Sequence, residues 1–156
     1  QQSSTLGVAA AGDVASQVLI HDAARPLLSA DLVSACLVSL NRYAAISAAV
    51  PAIDTMVQTD GQGNLTAIPP RSSMWRLQTP QGFRREIIRE AQEQAIADGV
   101  SDVSDDCGLV FRYHLAEIGI VPGEERNFKI TTADDLSRAE QLLSTSAWAK
   151  PPEAVG

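Results

Sequence analysis

The run Val18-Leu19-Ile20-His21-Asp22-Ala23-Ala24-Arg25-Pro26 drives three apolar residues straight into an acid, two alanines, an arginine and a proline. It reads as a buried strand ending at a chemical site, because ligands of open α/β sheets bind outside the carboxyl ends of the strands. At such an end the Asp22 carboxylate could hold a metal ion or a hydroxyl group. Arg25 offers a phosphate its planar fork of donors, and Pro26 keeps the strand from continuing. Four further groups follow: Asp54-Thr55, just after an apolar run closed by Pro51; Arg71; Thr79-Pro80-Gln81; and Asn127-Phe128-Lys129-Ile130-Thr131. Together they supply carboxylates, hydroxyls and cations. That set suits a phosphate-bearing, hydroxyl-rich ligand, with Lys and Arg neutralising charge and Asp organising a metal. Phosphoryl and nucleotidyl transfer need mostly positioning and charge stabilisation, and little side-chain nucleophilicity.

Each group also has a plainer reading. A capped strand end with a surface ion pair would use the same residues at 22 and 25. Lys129 could be a solvated charge on an edge strand, which blunts pairing. Thr55 could serve only as a β-former, Thr79-Pro80 as a bare turn, and Arg71 as an exposed residue. The paired acids Asp105 and Asp106 suit a helix N-terminus. His21 and His114 have no companion metal ligands, and no Ser or Cys sits beside a base on a recognisable elbow.

The elements that must hold these residues follow from patterning. Leu6–Val14 is Ala- and Gly-rich and reads as a helix, and Gln17–Ile20 as a strand. Ser29 can cap a helix over Asp31–Asn41, with Asp31 in its first turn. Ala44–Val50 is a continuous apolar run, the mark of a central parallel strand covered on both faces. Asp54–Thr59 alternates, Asp60-Gly61-Gln62-Gly63-Asn64 is a strong turn signal, and Leu65–Ile68 returns. This hairpin has little to bury, so it is expected to project as an arm over about 53–74 and to pack on a partner chain. Met74–Leu77 reads as a strand, Thr79–Gly82 as a turn, and Arg84–Asp98 as a helix stopped by Gly99. Ser104 before Asp105 and Asp106 suits a capped helix start, with the helix running to about Tyr113. Ala116–Val121 and Asn127–Ile130 read as strands, and Thr132 with Asp135 as a capping box opening a last helix. Ser144–Gly156 reads as a tail or linker. Strands alternating with helices imply an α/β fold with a mostly parallel sheet and helices on both faces.

The chain has 156 residues, enough for one domain with a real core, and 45% of them are hydrophobic and 20% charged. A formal net charge of -7 argues against broad nucleic-acid binding, which needs a basic footprint. Cys36 and Cys107 lie far apart with no metal spacing, so they read as small buried hydrophobes of a reducing compartment. No apolar run reaches membrane-spanning length, and Gln1–Ser4 carries no positive charge of a signal peptide. The expectation is a cytoplasmic protein with neither nucleic-acid nor membrane partners.

The order and company of the motifs carry more than any one of them. H-D-A-A-R-P, then P-A-I-D-T-M, W-x-x-x-T-P-Q-x-F, S-D-D and N-x-K-I-T, as they stand over Gln1–Leu143, resemble the 2-C-methyl-D-erythritol 4-phosphate cytidylyltransferases of non-mevalonate isoprenoid synthesis. Pentitol-phosphate cytidylyltransferases share much of this pattern, so ribitol 5-phosphate or another polyol phosphate is an alternative acceptor. The resemblance implies a Rossmann-like nucleotidyltransferase sheet with an arm. It implies a Mg²⁺-dependent homodimer that moves CMP from CTP to the sugar phosphate. Matched by position, Asp22, Arg25, Thr55, Arg71, Thr79 and Lys129 are the expected substrate-binding residues. Lys129, Asp22 and Arg71 are the expected catalytic set, Asp22 the expected metal ligand, and Arg71 the arm residue expected to reach the neighbouring subunit's site.

The family opens with a glycine-rich loop carrying a basic residue and a P-K-Q segment, whose amides cradle a triphosphate. Gln1-Gln2-Ser3-Ser4 starts downstream of any such segment. Residues 1–143 are therefore expected to be the C-terminal portion of the domain, inactive when expressed alone, and a non-catalytic sugar-phosphate-binding or dimerisation remnant is the alternative from another class. Residues 144–156 could instead begin a linker to a fused 2-C-methyl-D-erythritol 2,4-cyclodiphosphate synthase.

Overall fold

The computed structural model describes residues 2–12, 15–100, 103 and 105–145. The expected cap at Ser104, the helix end at Asp13-Val14 and residues 146–156 of the expected tail lie outside these. The elements run α1 (Gln2–Ala10), β1 (Gln17–Ile20), α2 (Ala30–Ser39), β2 (Ala45–Pro51), β3 (Gln58–Thr59), β4 (Leu65–Ala67), β5 (Trp75–Arg84), α3 (Arg85–Ala97), α4 (Asp106–Arg112), β6 (Ile118–Pro122) and α5 (Ala133–Thr145).

Helices cover both faces of a sheet ordered β1-β5-β2-β6. On one face α2 packs Leu32, Cys36 and Leu40 against Ile46, Ala48 and Val121. On the other, α3 and α4 pack Ile88, Ala91, Ala95, Leu109 and Val110 against Ala45 and Phe83. β2 is buried from Ala45 to Val50, as its mainly apolar run demands, with Ser47 the one polar side chain among them. The α/β class with helices on both faces therefore holds. Three strands share one direction, but β5 runs against them between β1 and β2, leaving β2–β6 as the parallel ladder of the described sheet. The reason is topological: β2 runs out into the arm and the chain returns beside it as β5, with the Ala52 N–H donating to the Met74 carbonyl at 2.9 Å. The arm is the far end of this long hairpin, tipped by the short β3–β4 pair.

Two local expectations are corrected. Thr79–Gly82 is not a turn but the middle of β5, containing a cis Thr79–Pro80 bond, because the ladders to β1 and β2 override local turn preference. Asn127–Ile130 is not a strand. Its backbone bonds to loops instead, the Asn127 N–H to Glu124 and the Ile130 N–H to Ala24. The caps fall where expected: Ser29 accepts from the Leu32 N–H at 3.0 Å, and Gly99 takes a φ of +64° beyond the end of α3. α5 runs to Thr145, past the expected boundary at Leu143.

Candidate functional site

β1 ends at Ile20, so His21, Asp22 and Arg25 enter a tight turn in which the Arg25 N–H donates to the Asp22 carbonyl at 2.9 Å. The loop after β6 folds over this turn, and Lys129 brings its ammonium to 2.8 Å from Asp22 Oδ2. That bond holds the Asp22 carboxyl below its ordinary pKa, against a smaller upward push from burial. The other oxygen, Oδ1, accepts from the Ala24 N–H at 3.1 Å. Arg25 donates from Nη1 to the Asn127 carbonyl at 2.9 Å. Thr79, in the middle of β5, accepts from the Asp22 N–H at 3.0 Å. Asp22, Arg25, Thr79 and Lys129 thus converge on one corner, outside the carboxyl end of β1.

Thr55 and Arg71 are brought together elsewhere. Both are exposed on the arm, where Arg71 Nη2 donates to Thr55 Oγ1 at 3.0 Å. They bond to each other and not to the corner.

The bracing roles of His21, Gln78 and Asn127 were not legible in the sequence. His21, which has no companion metal ligands in the sequence, bridges the Arg25 carbonyl and the Thr79 hydroxyl with its ring. Asn127 is fully buried and donates from Nδ2 to the Thr79 carbonyl at 2.7 Å. Buried Gln78 donates to the Glu124 carbonyl at 2.9 Å and faces Asn127 Nδ2 with its own oxygen. The available signal was polarity: Gln78 is a polar residue at the first buried position of β5, and Asn127 opens the N-x-K-I-T motif.

An open groove of about 750 Å³ runs from the corner between α1 and the outer edge of β1. Its lining includes Val8, Val18, Asp22, Asp105 and Asp106, and no Lys or Arg among the described residues. Asp105 caps α4 through the Gly108 N–H at 2.7 Å and accepts from Gln81 at 3.1 Å. Among the described residues no group of three or more His, Cys, Asp or Glu side chains could hold a metal ion. A Mg²⁺ that keeps its waters and substrate phosphates needs only one or two carboxylates. Asp22 can give such an ion one oxygen in exchange for Lys129. Cys36 and Cys107 are free and buried, and burial raises the Cys36 thiol to about 11. No described helix is long and apolar enough to cross a membrane.

Comparison with known proteins adds an independent line. The family described as IspD: 2-C-methyl-D-erythritol 4-phosphate cytidylyltransferase matches residues 1–145. A curated protein of that name from Thermobifida fusca is 45% identical over 133 residues, covering 82% of this chain and 53% of the relative. One from Thermosynechococcus vestitus is 47% identical over 137 residues, covering 88% and 58%. The chain thus spans little more than half the length of these relatives. The crystal structure of the Thermus thermophilus cytidylyltransferase superposes with a TM-score of 0.79 at 35% identity, covering 91% of this chain and 68% of that one.

Proposed function

The chain belongs to the 2-C-methyl-D-erythritol 4-phosphate cytidylyltransferase family, and from that membership we propose that the protein transfers CMP from CTP to 2-C-methyl-D-erythritol 4-phosphate in isoprenoid precursor synthesis. An oxygen of the acceptor phosphate attacks the α-phosphorus of CTP and forms a new P–O bond. The bond to the bridging oxygen breaks, and pyrophosphate leaves with the electron pair. The single observation that carries this reading is the Asp22–Arg25–Lys129 corner, in a chain of this family.

In the proposal Arg25 and Lys129 face the acceptor phosphate and offset its charge, so that the nucleophilic oxygen can approach an anionic triphosphate. Lys129 exchanges Asp22 for the phosphate on binding, and Asp22 is the residue that would then hold Mg²⁺. When bound, Mg²⁺ neutralises triphosphate charge. Thr55 and Arg71 would act from the arm of a second subunit. Exposed Ile53, Val57, Leu65 and Ile68 support a homodimer built on that arm, since each is roughly half or more open in the single chain. Reduced, buried Cys36 and Cys107 suit the cytoplasm. Among the described residues the groove beside β1 is lined by acids and by no Lys or Arg, so residues 1–156 alone are proposed to bind CTP too weakly for turnover.

The test is the full-length enzyme with CTP, Mg²⁺ and the acceptor, followed by phosphorus NMR. Pyrophosphate and CDP-methylerythritol are expected. Preference for ribitol 5-phosphate as acceptor, or no transfer to either, overturns the proposal.

A further inference from the structure

We propose that His21 is a positioning residue that fixes the Thr79 hydroxyl as a hydrogen-bond acceptor, so that Thr79 reads a hydroxyl of the polyol and not an oxygen of its phosphate. The inference rests on the reading of the Asp22–Arg25–Lys129 corner as the acceptor site.

The argument is one of donors and acceptors. His21 Nε2 lies 2.9 Å from the Arg25 carbonyl oxygen, which can only accept. In the neutral ring Nε2 therefore carries the proton and Nδ1 presents a lone pair. The atom 3.0 Å from Nδ1 is Thr79 Oγ1, whose single proton must point there. The Asp22 N–H donates to the same oxygen at 3.0 Å. Thr79 Oγ1 has then used its proton and one lone pair inside the protein, and one lone pair remains. The oxygens of a phosphate dianion offer only lone pairs and are repelled by it, whereas a substrate O–H can donate to it. Thr79 is partly exposed at the corner beside Asp22, and the proposal gives its remaining lone pair to the ligand.

The consequence is an orientation. The phosphate end lies with Arg25 and Lys129, the cations of the corner, and the polyol chain runs towards β5 with a hydroxyl on Thr79. An acceptor with a phosphate but no suitably placed hydroxyl would leave the Thr79 lone pair facing nothing, and that mismatch is where discrimination arises.

A long-range proton–nitrogen correlation on the full-length enzyme reads the tautomer directly, with Nε2 protonated as the expected result. In kinetics, His21→Phe should raise the acceptor KM about tenfold and leave the CTP KM within about twofold. His21→Asn, whose amide oxygen can take the place of Nδ1, should recover most of the loss. His21→Phe should cost nothing further in a Thr79→Val background, because His21 acts through that hydroxyl. If His21→Phe does not fold, the wild-type tautomer and the contrast of Thr79→Ser with Thr79→Val decide, with only Val raising the acceptor KM. A neutral ring protonated at Nδ1, additive costs of the two substitutions, or equal rises in both KM values overturn the inference alone. Absence of transfer by the wild-type enzyme overturns the acceptor-site reading and the substrate role of Thr79 with it.

Discussion

The Arg25 guanidinium donates from Nη1 to the main-chain oxygen of Asn127 at 2.9 Å, tying two loops that lie 102 residues apart in sequence. Its Nε is buried without a hydrogen-bond partner, and burial pulls the guanidinium below its ordinary pKa while Asp22 opposes that pull. An idle buried donor is costly, so this side chain is held for the shape and charge of its fork. Arg25→Lys keeps the charge and loses the fork. Steady-state kinetics of the full-length enzyme should show the acceptor KM raised roughly tenfold or more, with the CTP KM little changed.

Lys129 and Asp22 form a half-exposed ion pair, 50% and 27% open, and such pairs contribute about 0–1 kcal/mol to folding. Their value should therefore lie in catalysis. Lys129→Gln and Asp22→Asn should each lower kcat/KM by about a hundredfold or more, while denaturant midpoints move little. A large loss of stability with activity retained would assign the pair to the fold instead.

What the sequence made legible was local or periodic. Ser29, Gly99 and the Thr132–Asp135 box announce themselves because a cap needs only neighbours within one turn. The run of small and apolar residues at β2 announces burial on both faces. The Thr79–Gly82 segment misled because Thr-Pro-Gln-Gly carries turn chemistry, and only the flanking strands overrule it. Asn127–Ile130 misled because its alternation is spent on loop contacts with Ala24 and Glu124. In the site, the charged residues stood out by type. The bracing roles of His21, Gln78 and Asn127 did not, because they exist only once β1, β5 and the loop after β6 meet.

α5 begins with a carboxylate that holds its own cap. Asp135 accepts from the N–H groups of Thr131 and Thr132 at 3.0 and 2.9 Å, and these bonds, with both hydroxyls, bring it from 3.8 to about 2. A depressed carboxyl pKa stabilises the fold fully above its unfolded value and ceases to do so as pH falls through its folded value. Compared by denaturant unfolding, wild type should exceed Asp135→Asn by a constant margin above the unfolded value of 3.8. The margin should shrink between there and about 2. A margin independent of pH across that range would remove the carboxylate from the cap.

Gly82 sits on β5 between Leu19 of β1 and Ile46 of β2. A Cβ built there would meet Leu19 Cδ2 at 2.8 Å and Ile46 Cδ1 at 2.9 Å. Gly82→Ala should cost about 1–3 kcal/mol of stability by overpacking. Leu19→Ala in the same chain should recover part of it, since the clash is with a side chain and not backbone. Equilibrium unfolding of the single and double variants measures both.

The Thr55–Arg71 pair yields the sharpest test of assembly. Within one chain these residues bond to each other on the exposed arm, while Asp22, Arg25 and Lys129 gather outside the end of β1. If the arm completes the site of a second subunit, Arg71→Ala and Asp22→Asn damage different halves of the same composite site. A mixed dimer then carries one site with both defects and one with neither. Each variant alone should be nearly inactive. Equal amounts unfolded and reassociated together should recover about a quarter of wild-type activity, because half the dimers are mixed and each has one intact site. Recovery should vanish when Ile53, Val57 and Leu65 are all changed to Ser, if those exposed side chains hold the arm on its partner. No recovery from the mixture, with both variants folded and dimeric by light scattering, would confine Arg71 to its own subunit.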